Sequence, residues 1–594
     1  MVLVLFDDGA LVRNGAVKLT RSLNQLKIPP TVQAILAARI DRLPADEKDL
    51  LQTLAVIGRE FPLALVARLF STSDDALNGM LSDLQQGEFI YEQPATGGIE
   101  YIFKHALTQE VAYNALLVER RKQLHERAGV ALESMFVGQL EDHLDDLAHH
   151  YSRSDNIEKA VEFLGRAGQQ AVQRSAHTEA INHLTTALDL LQSLPHSAEH
   201  AQQKLILLTM LGSVLMAAKG YAAPEVERIC VQARDLCRRA GETPQLFPVL
   251  RTLVGFYLNK GQLETAYELA EQMLSLAKSQ QDPTFFPEAY YSLALSSFFL
   301  GEIPAVREHT EQVLTLYPRQ NRSLSLSSVE DPTIACLCFA AWALWYLGYP
   351  DQSQQRIQEA LTLTQELSHP YTRTFATVFA AWLHQFRHEC QAAQQRAEAA
   401  ITLSNEYGFP FWSSVGTILR GWALAEKEQA GEGITGIRLG LAAHRATGAV
   451  TSQSWGLALL AEAYSKVGSL EEGLNAVTEA LTMVAQTGER FYEAELYRLK
   501  GELTLKLRHS SDESYEARIK QAEACFQGAI AIARQQQAKS WELRAIISFV
   551  RLLATQGRRD EARAMLAEIY GWFTEGFDTA DLKDAKALLE ELAV

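Results

Sequence analysis

The segment GQLETAYELAEQML, from Gly261 to Leu274, carries the pattern that decides the fold, because the pattern returns at intervals toward the C-terminus. A glycine stands where a turn needs a left-handed backbone, a small residue follows after five positions, and a leucine follows after thirteen. Small residues at such positions let two helices approach closely. The pattern therefore predicts the second helix of a helical hairpin. The turn glycines and small residues that define it are Gly261, Ala266, Gly301, Gly348, Ser353, Gly468, Gly473, Gly557 and Ala562.

The first helix of each hairpin leaves a weaker pattern ahead of the turn. Alanine stands seven residues before several turns and tyrosine four residues before two of them, at Ala294, Ala341, Ala461, Tyr257 and Tyr464. The combined pattern resembles the tetratricopeptide (TPR) family, whose repeats carry small residues and tyrosine on the first helix. The resemblance implies a mainly α fold with a right-handed, TPR-like α-solenoid superhelix.

The turns are spaced more widely than in ideal TPR units, which have about 34 residues. Successive intervals are 40, 47, 39, 44 and 37 residues when the turns are taken as Gly261, Gly301, Gly348, Arg387, Gly431 and Gly468. The next clear turn, Gly557, lies 89 residues further on. Two degenerate units fit that interval, one of them around Ala522–Gln537.

Composition narrows the classes of function. The 594 residues include 55 Lys and Arg against 72 Asp and Glu, and the net charge of −17 opposes binding to nucleic acid or anionic membranes. Six scattered cysteines indicate a reducing compartment rather than a disulfide framework. Neither a signal peptide nor a charge-free apolar stretch of about 20 residues is evident. We expect a cytoplasmic protein without cofactor or metal, and without a membrane or nucleic-acid partner.

The N-terminal part predicts a small module after a short remnant. Residues 1–30 do not have the pattern of a domain and are interpreted as the remnant of an upstream nucleotide-binding domain or a linker. Helical segments begin at Thr31, which can cap the first helix. The segments EFIYEQ and IEYIF then flank a Gly-rich turn, with four aromatic residues facing each other: Phe89, Tyr91, Tyr101 and Phe103. Three helices and a two-stranded wing predict a winged-helix module over residues 31–104.

The charge of this module bears on its function, since winged helices often bind DNA. Residues 31–104 hold six Lys or Arg and eleven Asp or Glu, a net charge of −5. A module that neutralises phosphates should be positive. We expect a structural lever or coupling domain, and a transcriptional regulator that binds DNA through the winged helix is the alternative.

Longer phrases around the module resemble a signalling family. The segments IPPTVQAILAARIDRLP, LLQTLAVIGREFP and FKHALTQEVAYNALLVERRKQLHERAG look like the region after the nucleotide-binding domain of STAND-type ATPases. The likeness extends to ERFYEAELYRLKGEL and YGWFTEGFDTADLKDAKALLEEL near the C-terminus. It is closest to bacterial STAND or AAA-type proteins in which a class III adenylate or guanylate cyclase domain precedes the ATPase and a MalT-like TPR region. The resemblance implies that this chain is the arm, with a nucleotide-binding domain upstream or in trans.

The remaining chain divides into two regions. Residues 105–195 are expected to hold connecting helices and the first TPR-like hairpins, with one long helix over Ile157–Arg174. Residues 196–594 are expected to form the solenoid. Two polar segments, Asn321–Pro332 and Arg508–Arg518, are expected as loops between helices.

Candidates for chemistry are few, and packing explains each of them. The segment GEGITGIR (Gly431–Arg438) has the glycine spacing of a phosphate-binding loop, but it lacks the Lys and the Ser or Thr that the motif needs. His143 and His150 would lie two helical turns apart, too far to share one zinc ion. The basic run Arg120–Lys122 is expected on a solvated helix face. We expect no catalytic, cofactor-binding or metal site.

The concave face of the solenoid is the predicted functional surface. If small residues make the contacts between hairpins, exposed residues of the first helices line one groove between about His200 and Ala580. The expected ligand is a protein, a peptide or a small inducer. All eight tryptophans lie between residues 342 and 572, most expected in the core and a subset in the groove. The predicted role is a non-catalytic sensor or scaffold arm; part of a cyclase or ATPase with its catalytic domains elsewhere is the alternative.

A gel-shift titration with duplex DNA tests the role of the acidic module. Because phosphate contacts dominate affinity for DNA and residues 31–104 carry a net charge of −5, we expect no retardation at physiological salt. Sub-micromolar binding with a steep salt dependence would instead favour the transcriptional alternative.

Overall fold

The computed structural model describes residues 11–14, 16–19, 31–70, 72–95, 98–195, 197–240, 246–316, 329–367, 369–507 and 512–593. These residues form 28 α-helices and five β-strands, so the mainly α fold class is confirmed. The chain divides into two compact units. The first comprises residues 1–168 and 185–196, and the second comprises residues 169–184 and 197–594.

The first unit combines short helices with two small sheets. Its elements are β1 (Leu11–Asn14), β2 (Ala16–Leu19), α1 (Val32–Ile40), α2 (Ala45–Ile57), β3 (Glu60–Pro62), α3 (Leu63–Leu69), α4 (Asp74–Gln86), β4 (Ile90–Ala95), β5 (Gly98–Phe103), α5 (Ala106–Asn114), α6 (Val118–Met135) and α7 (Leu144–Tyr151). Thr31 caps α1 as predicted, because its hydroxyl oxygen accepts the N–H of Ala34 at 3.1 Å. Two further helices supply residues to both units, α8 (Ile157–Gln173) and α9 (His177–Leu191). The predicted long helix is thus confirmed as α8.

β4 and β5 form the predicted hairpin, but one residue faces the other way. Ile90 pairs with Phe103, and Tyr91 pairs with Ile102. Ile90 is buried, whereas Tyr91 is 44% exposed and has Lys104 Nζ 5.3 Å from its ring centroid. The prediction that Tyr91 faces the core is wrong, because β4 begins at Ile90 and this residue takes the buried face.

A third strand, β3, completes the sheet of this unit. The strand order is β3-β5-β4, all antiparallel, with Phe61 paired to Tyr101. Phe61 is fully buried, and its ring packs edge-on against Phe103 with centroids 5.7 Å apart. Leucines of α2 and α4 close the same core. Because β3 has only three residues, it is too short to show alternation in the sequence.

The second unit is an array of helical hairpins. Its helices are α10 (Ala198–Lys219), α11 (Pro224–Ala240), α12 (Leu246–Asn259), α13 (Leu263–Gln280), α14 (Phe286–Leu300), α15 (Ile303–Leu316), α16 (Pro332–Tyr346), α17 (Pro350–Glu366), α18 (Pro370–Phe386), α19 (Cys390–Tyr407), α20 (Pro410–Glu426), α21 (Ala430–Ala446), α22 (Gln453–Lys466), α23 (Leu470–Thr487), α24 (Glu493–Lys506), α25 (Asp512–Gln535), α26 (Lys539–Thr555), α27 (Arg559–Tyr570) and α28 (Ala580–Leu592). Even-numbered helices open the hairpins and contact one another from hairpin to hairpin, which places them inside a TPR-like solenoid. The predicted loop Arg508–Arg518 is wrong from Asp512 onward, where α25 begins; residues 508–511 lie outside the described residues.

Left-handed residues mark the turns within the hairpins. Positive φ angles occur at Gly261, Gly301, Gly348, His388, Glu428, Gly468 and Gly557. The intervals up to Gly468 are 40 residues, apart from one of 47. The predicted turns at Arg387 and Gly431 are wrong because non-glycine residues, His388 and Glu428, take the left-handed conformation instead. The repeat is therefore more regular than the glycines indicate.

Successive turns of the superhelix touch each other through their loops. The N–H of Val450 donates to the carbonyl oxygen of Asn259 at 2.7 Å. The N–H of Arg490 donates in the same way to the carbonyl oxygen of Phe299 at 2.7 Å. Both pairs are separated by 191 residues in sequence. Since backbone groups bond directly across the turns, the second unit is tightly wound.

α10 has the length and composition of a membrane-spanning helix. Among the described residues it is the one helix that meets this criterion. However, 67% of its apolar window is buried inside the second unit, where α10 contacts α12 and α20. A core helix of a folded array has the same composition.

Alanine at Gly261 should destabilise the array more than alanine at Gly468. Both glycines have positive φ angles, so each substitution costs about 1 kcal/mol for a left-handed alanine. A Cβ at Gly261 would also lie 2.8 Å from Thr487 Cγ2 and 3.2 Å from Val450 Cγ1, whereas nothing lies within 4 Å of one at Gly468. In urea unfolding we expect Gly261→Ala to lose about 1–2 kcal/mol more than Gly468→Ala. Equal losses would show that the turns do not touch in solution.

Candidate functional site

The groove predicted along the inner face of the array is filled by side chains. Every residue from Thr333 to Tyr346 in α16 is buried, as are 14 residues of α18 and 13 of α26. A helix beside an open groove would keep an exposed stripe. The expectation of unpacked inner residues between His200 and Ala580 is therefore wrong for these helices. The physical reason is the tight winding, which brings α16 against α26 and α10 against α20.

Aromatic rings occupy the axis of the superhelix. Trp342 stacks on Phe379 with ring centroids 4.0 Å apart, and Trp382 stacks on Trp455 at 3.8 Å. Seven of the eight tryptophans are at most 5% exposed. The exception is Trp572, which is 37% exposed. Most tryptophans are thus in the core, as the sequence predicts, and Trp572 is left as the accessible anchor.

A charged group is buried in the same interior. Arg251 Nη2 donates to Glu330 Oε1 at 2.6 Å, and its Nε donates to Glu288 at 3.2 Å. The hydroxyls of Tyr291 and Tyr221 donate to the Glu330 carboxylate at 2.7 and 3.1 Å. Burial opposes the charge of Arg251, but the carboxylates outweigh it and raise the pKa of the guanidinium. The adjoining cavity has about 50 Å³, enough for a few water molecules and too little for a larger ligand.

Glu330 corrects the prediction that Asn321–Pro332 is a polar loop, of which residues 321–328 lie outside the described residues. Glu330 and Asp331 are 1% and 5% exposed. Asp331 caps α16 by accepting the N–H groups of the first turn at 2.9 Å. One signal could have found Glu330: Arg251 lies inside the apolar run LFPVLRTLVGFYL, and a buried guanidinium needs a carboxylate partner.

A second buried carboxylate holds a loop between turns. Glu489 is 2% exposed and accepts the N–H of Ser452 at 2.6 Å and the hydroxyl of Ser454 at 2.7 Å. Burial raises the pKa of Glu489 to about 7, against the opposing effect of these two hydrogen bonds. Next to them, the hydroxyl of Thr451 donates to the carbonyl oxygen of Leu258 in the facing turn. The protonation of Glu489 therefore bears on a contact between turns.

A cleft of about 580 Å³ opens on the surface between two turns, and we call it the inter-turn cleft. Its lining includes the side chains of Arg307, Tyr349, Lys539, Glu542, Glu568 and Trp572. One wall comes from residues 304–349 and the other from residues 534–572. A molecule in the inter-turn cleft would thus contact successive turns at once.

Two aromatic rings meet in the inter-turn cleft. The centroids of Tyr349 and Trp572 are 5.6 Å apart, and their planes are inclined by 59°. Gly348, with φ of +89°, permits this approach, since a Cβ there would lie 2.5 Å from Trp572 Cζ3. The rings form a corner with accessible faces.

The inter-turn cleft has an excess of positive charge. Arg534 Nε and Lys539 Nζ each lie 2.6 Å from the buried carboxylate of Glu542, so two cations share one anion. Arg307 is exposed and has no ion pair within the described ranges. Glu568 is the other carboxylate of the lining. Three cations against two carboxylates leave a surplus of one positive charge, in a chain whose net charge is −17.

The sequence candidates for phosphate or metal binding lie in packed surroundings. GEGITGIR lies inside α21, where a Cβ at Gly433 would be 2.6 Å from the carbonyl oxygen of Gly421. Its glycines therefore serve the close approach of α20 and α21. His150 Nδ1 lies 3.0 Å from His125 Nδ1 of α6, while His143 packs on another aromatic ring. Burial lowers the pKa of both His125 and His150 to about 3, so this pair is uncharged at neutral pH.

The basic run Arg120–Lys122 is paired within the first unit. Arg120 Nη2 lies 3.3 Å from Asp49, and Lys122 Nζ lies 2.9 Å from Asp155. These exposed pairs contribute little energy, but they neutralise the run on its helix face.

The small residues predicted at hairpin interfaces lie between helices. Ala266, Ser353 and Ala562 are fully buried, and Gly473 is buried on α23. The hydroxyl of Ser353 donates to the carbonyl oxygen of Ala341 at 2.6 Å, which links α17 to α16. In these positions the side chains contact neighbouring helices and do not line the inter-turn cleft.

Comparisons with known proteins describe what the chain is similar to. No family model matches it. An uncharacterized protein of Rhizobium meliloti is 24% identical over 542 residues, which are 90% of this chain and 52% of that protein. The chain thus spans about half the length of the curated relative that it matches.

Several solved structures are similar at low sequence identity. A Rap protein complexed with competence and sporulation factor has a TM-score of 0.48 and 11% identity, covering 64% of this chain and 99% of its own. A STAND protein with a tetratricopeptide repeat sensor from Pyrococcus horikoshii has a TM-score of 0.35 and 10% identity, covering 87% and 68%. A human IFIT1 dimer with m7Gppp-AAAA has a TM-score of 0.39 and 14% identity, covering 72% and 89%.

Acidification should stabilise the array through Glu489, and Glu489→Gln should remove that effect. Since burial raises the pKa of Glu489 from 4.5 to about 7, the folded chain keeps a proton that the unfolded chain releases between these values. This stabilisation is complete below pH 4.5 and is lost as the pH rises to about 7. In thermal melts, Glu489→Gln should match wild type at acidic pH and exceed its Tm increasingly toward alkaline pH. A difference in Tm that does not change with pH would contradict this.

Proposed function

We propose that the chain is the non-catalytic sensor arm of a larger signal-transduction protein, and that its ligand binds in the inter-turn cleft. The observation that carries the proposal is the origin of the two walls, residues 304–349 and 534–572 of one array. A ligand that touches both walls stabilises the winding that brings them together. Its binding free energy is therefore coupled to the conformation of the array, which is the requirement for a sensor.

The inter-turn cleft, rather than the axis, has the dimensions of a binding site. Its volume of about 580 Å³ lies within the usual range of about 300–1,000 Å³ for ligand pockets. The cavity beside Arg251 has about 50 Å³ and the axis is filled by rings. A partly exposed tryptophan, Trp572, is also the type of residue that anchors ligands in recognition sites.

The first unit supports a relay role. Helices α1 to α4 and a three-stranded sheet of order β3-β5-β4 match the plan of a winged helix. In the STAND-type ATPases that the sequence resembles, this module couples the arm to the nucleotide-binding domain. We infer the same role here, with that domain upstream or in trans. The match to half the length of the Rhizobium relative accords with an arm of a longer protein.

Hydrogen exchange of the intact chain, with and without a low-molecular-mass extract of the native host, tests the proposal. We expect protection in residues 304–349 and 534–572 together, with a change of exchange in residues 31–104. Trp572→Leu should abolish these effects, because it removes the accessible anchor of the inter-turn cleft. Pretreating the extract with protease separates a peptide ligand from a small inducer.

The control is Arg438→Gln, which alters an exposed arginine of α21 outside the inter-turn cleft and should respond as wild type does. Protection confined to one wall, or an equal response of Trp572→Leu and wild type, would contradict the proposal.

A further inference from the structure

We infer that the inter-turn cleft binds a small organic monoanion with a planar ring, of the class of aromatic carboxylates. This inference rests on the proposed function, in which the inter-turn cleft is the ligand site. It adds the chemical class of the ligand, from the charge and ring geometry of the lining.

Arg307 supplies the charge that an anion would meet. Its side chain is exposed at the inter-turn cleft, and no carboxylate lies within ion-pair distance in the part of the chain that the structure describes. Arg534 and Lys539 are both held by Glu542, so this triad also retains a positive charge. A guanidinium can bind a carboxylate through two parallel hydrogen bonds. Arg307 is therefore the group to which a ligand carboxylate would bind.

Tyr349 and Trp572 supply faces on which a ring can stack. Cations already flank both rings: the guanidinium carbon of Arg307 lies 5.5 Å from the Tyr349 centroid, and Lys539 Nζ lies 5.6 Å from the Trp572 centroid. A planar ring placed in the corner between them contacts an aromatic face while its carboxylate lies beside a cation. An anion without a ring would leave that apolar surface uncovered.

Glu568 and Glu542 restrict the ligand to one negative charge. Both carboxylates line the inter-turn cleft, and the three cations exceed them by one. A dianion would bring its second charge near these carboxylates without a further cation to compensate it, and such like-charge contacts oppose binding. The geometry thus favours a monoanion over a phosphate ester.

Calorimetry of the full chain with 1-naphthoate tests the inference. We expect one saturable site per chain. Naphthalene-1-methanol has the ring without the charge, acetate has the charge without the ring, and AMP has a ring with a dianionic phosphate. Each of the three should bind about tenfold more weakly or worse. Equal or tighter binding of any of them, or no saturable binding of 1-naphthoate, would overturn the inference.

Two variants locate the site. Arg307→Gln should weaken 1-naphthoate by about tenfold or more, because it removes a charge-assisted interaction. Arg438→Gln should leave the affinity unchanged, and unaltered circular dichroism and melting verify that both variants fold. Binding that is equal in the two variants would overturn the assignment to Arg307.

The outcome separates this inference from the proposed function. If 1-naphthoate does not bind but host extract still protects both walls, the ligand class is wrong and the sensor function stands. If neither acts on the inter-turn cleft, both are wrong.

Discussion

Backbone hydrogen bonds between successive turns are the constraint on which the rest of the second unit depends. The bonds from Val450 to Asn259 and from Arg490 to Phe299 hold loops of adjacent turns in contact. Once the turns touch, an inner helix such as α16 has no free face, so its side chains must be apolar or paired. This explains both the aromatic axis and the position of the accessible cleft, which lies between turns and not along the concave side.

The buried carboxylate of Glu330 aligns several hairpins at one point. It accepts hydrogen bonds from Tyr221 in the loop after α10, from Arg251 on α12 and from Tyr291 on α14. A buried ion pair contributes little net stability, because desolvation offsets much of the attraction. Its directional hydrogen bonds, however, are satisfied in a single register of these helices, whereas apolar side chains could pack in several.

Local requirements could be predicted from the sequence and distant contacts could not. A left-handed turn followed by a small residue is a local need, so Gly261 and Ser353 are recognisable within one repeat. The turns at His388 and Glu428 are hidden because residues other than glycine take the left-handed conformation there. Tight winding leaves no periodic signal, since its contacts join residues 191 positions apart. For that reason the distribution of tryptophans indicates a core, but it does not single out Trp572 as the accessible one.

The regular 40-residue interval limits how such an array can gain or lose hairpins. In an open solenoid each repeat contacts only its neighbours, so one repeat can be deleted without disturbing the others. Here, a deletion between Asn259 and Val450 would move every facing loop by one step and break hydrogen bonds far from the deleted hairpin. The second unit should therefore unfold as one cooperative block, and in descent its length can change only at its ends.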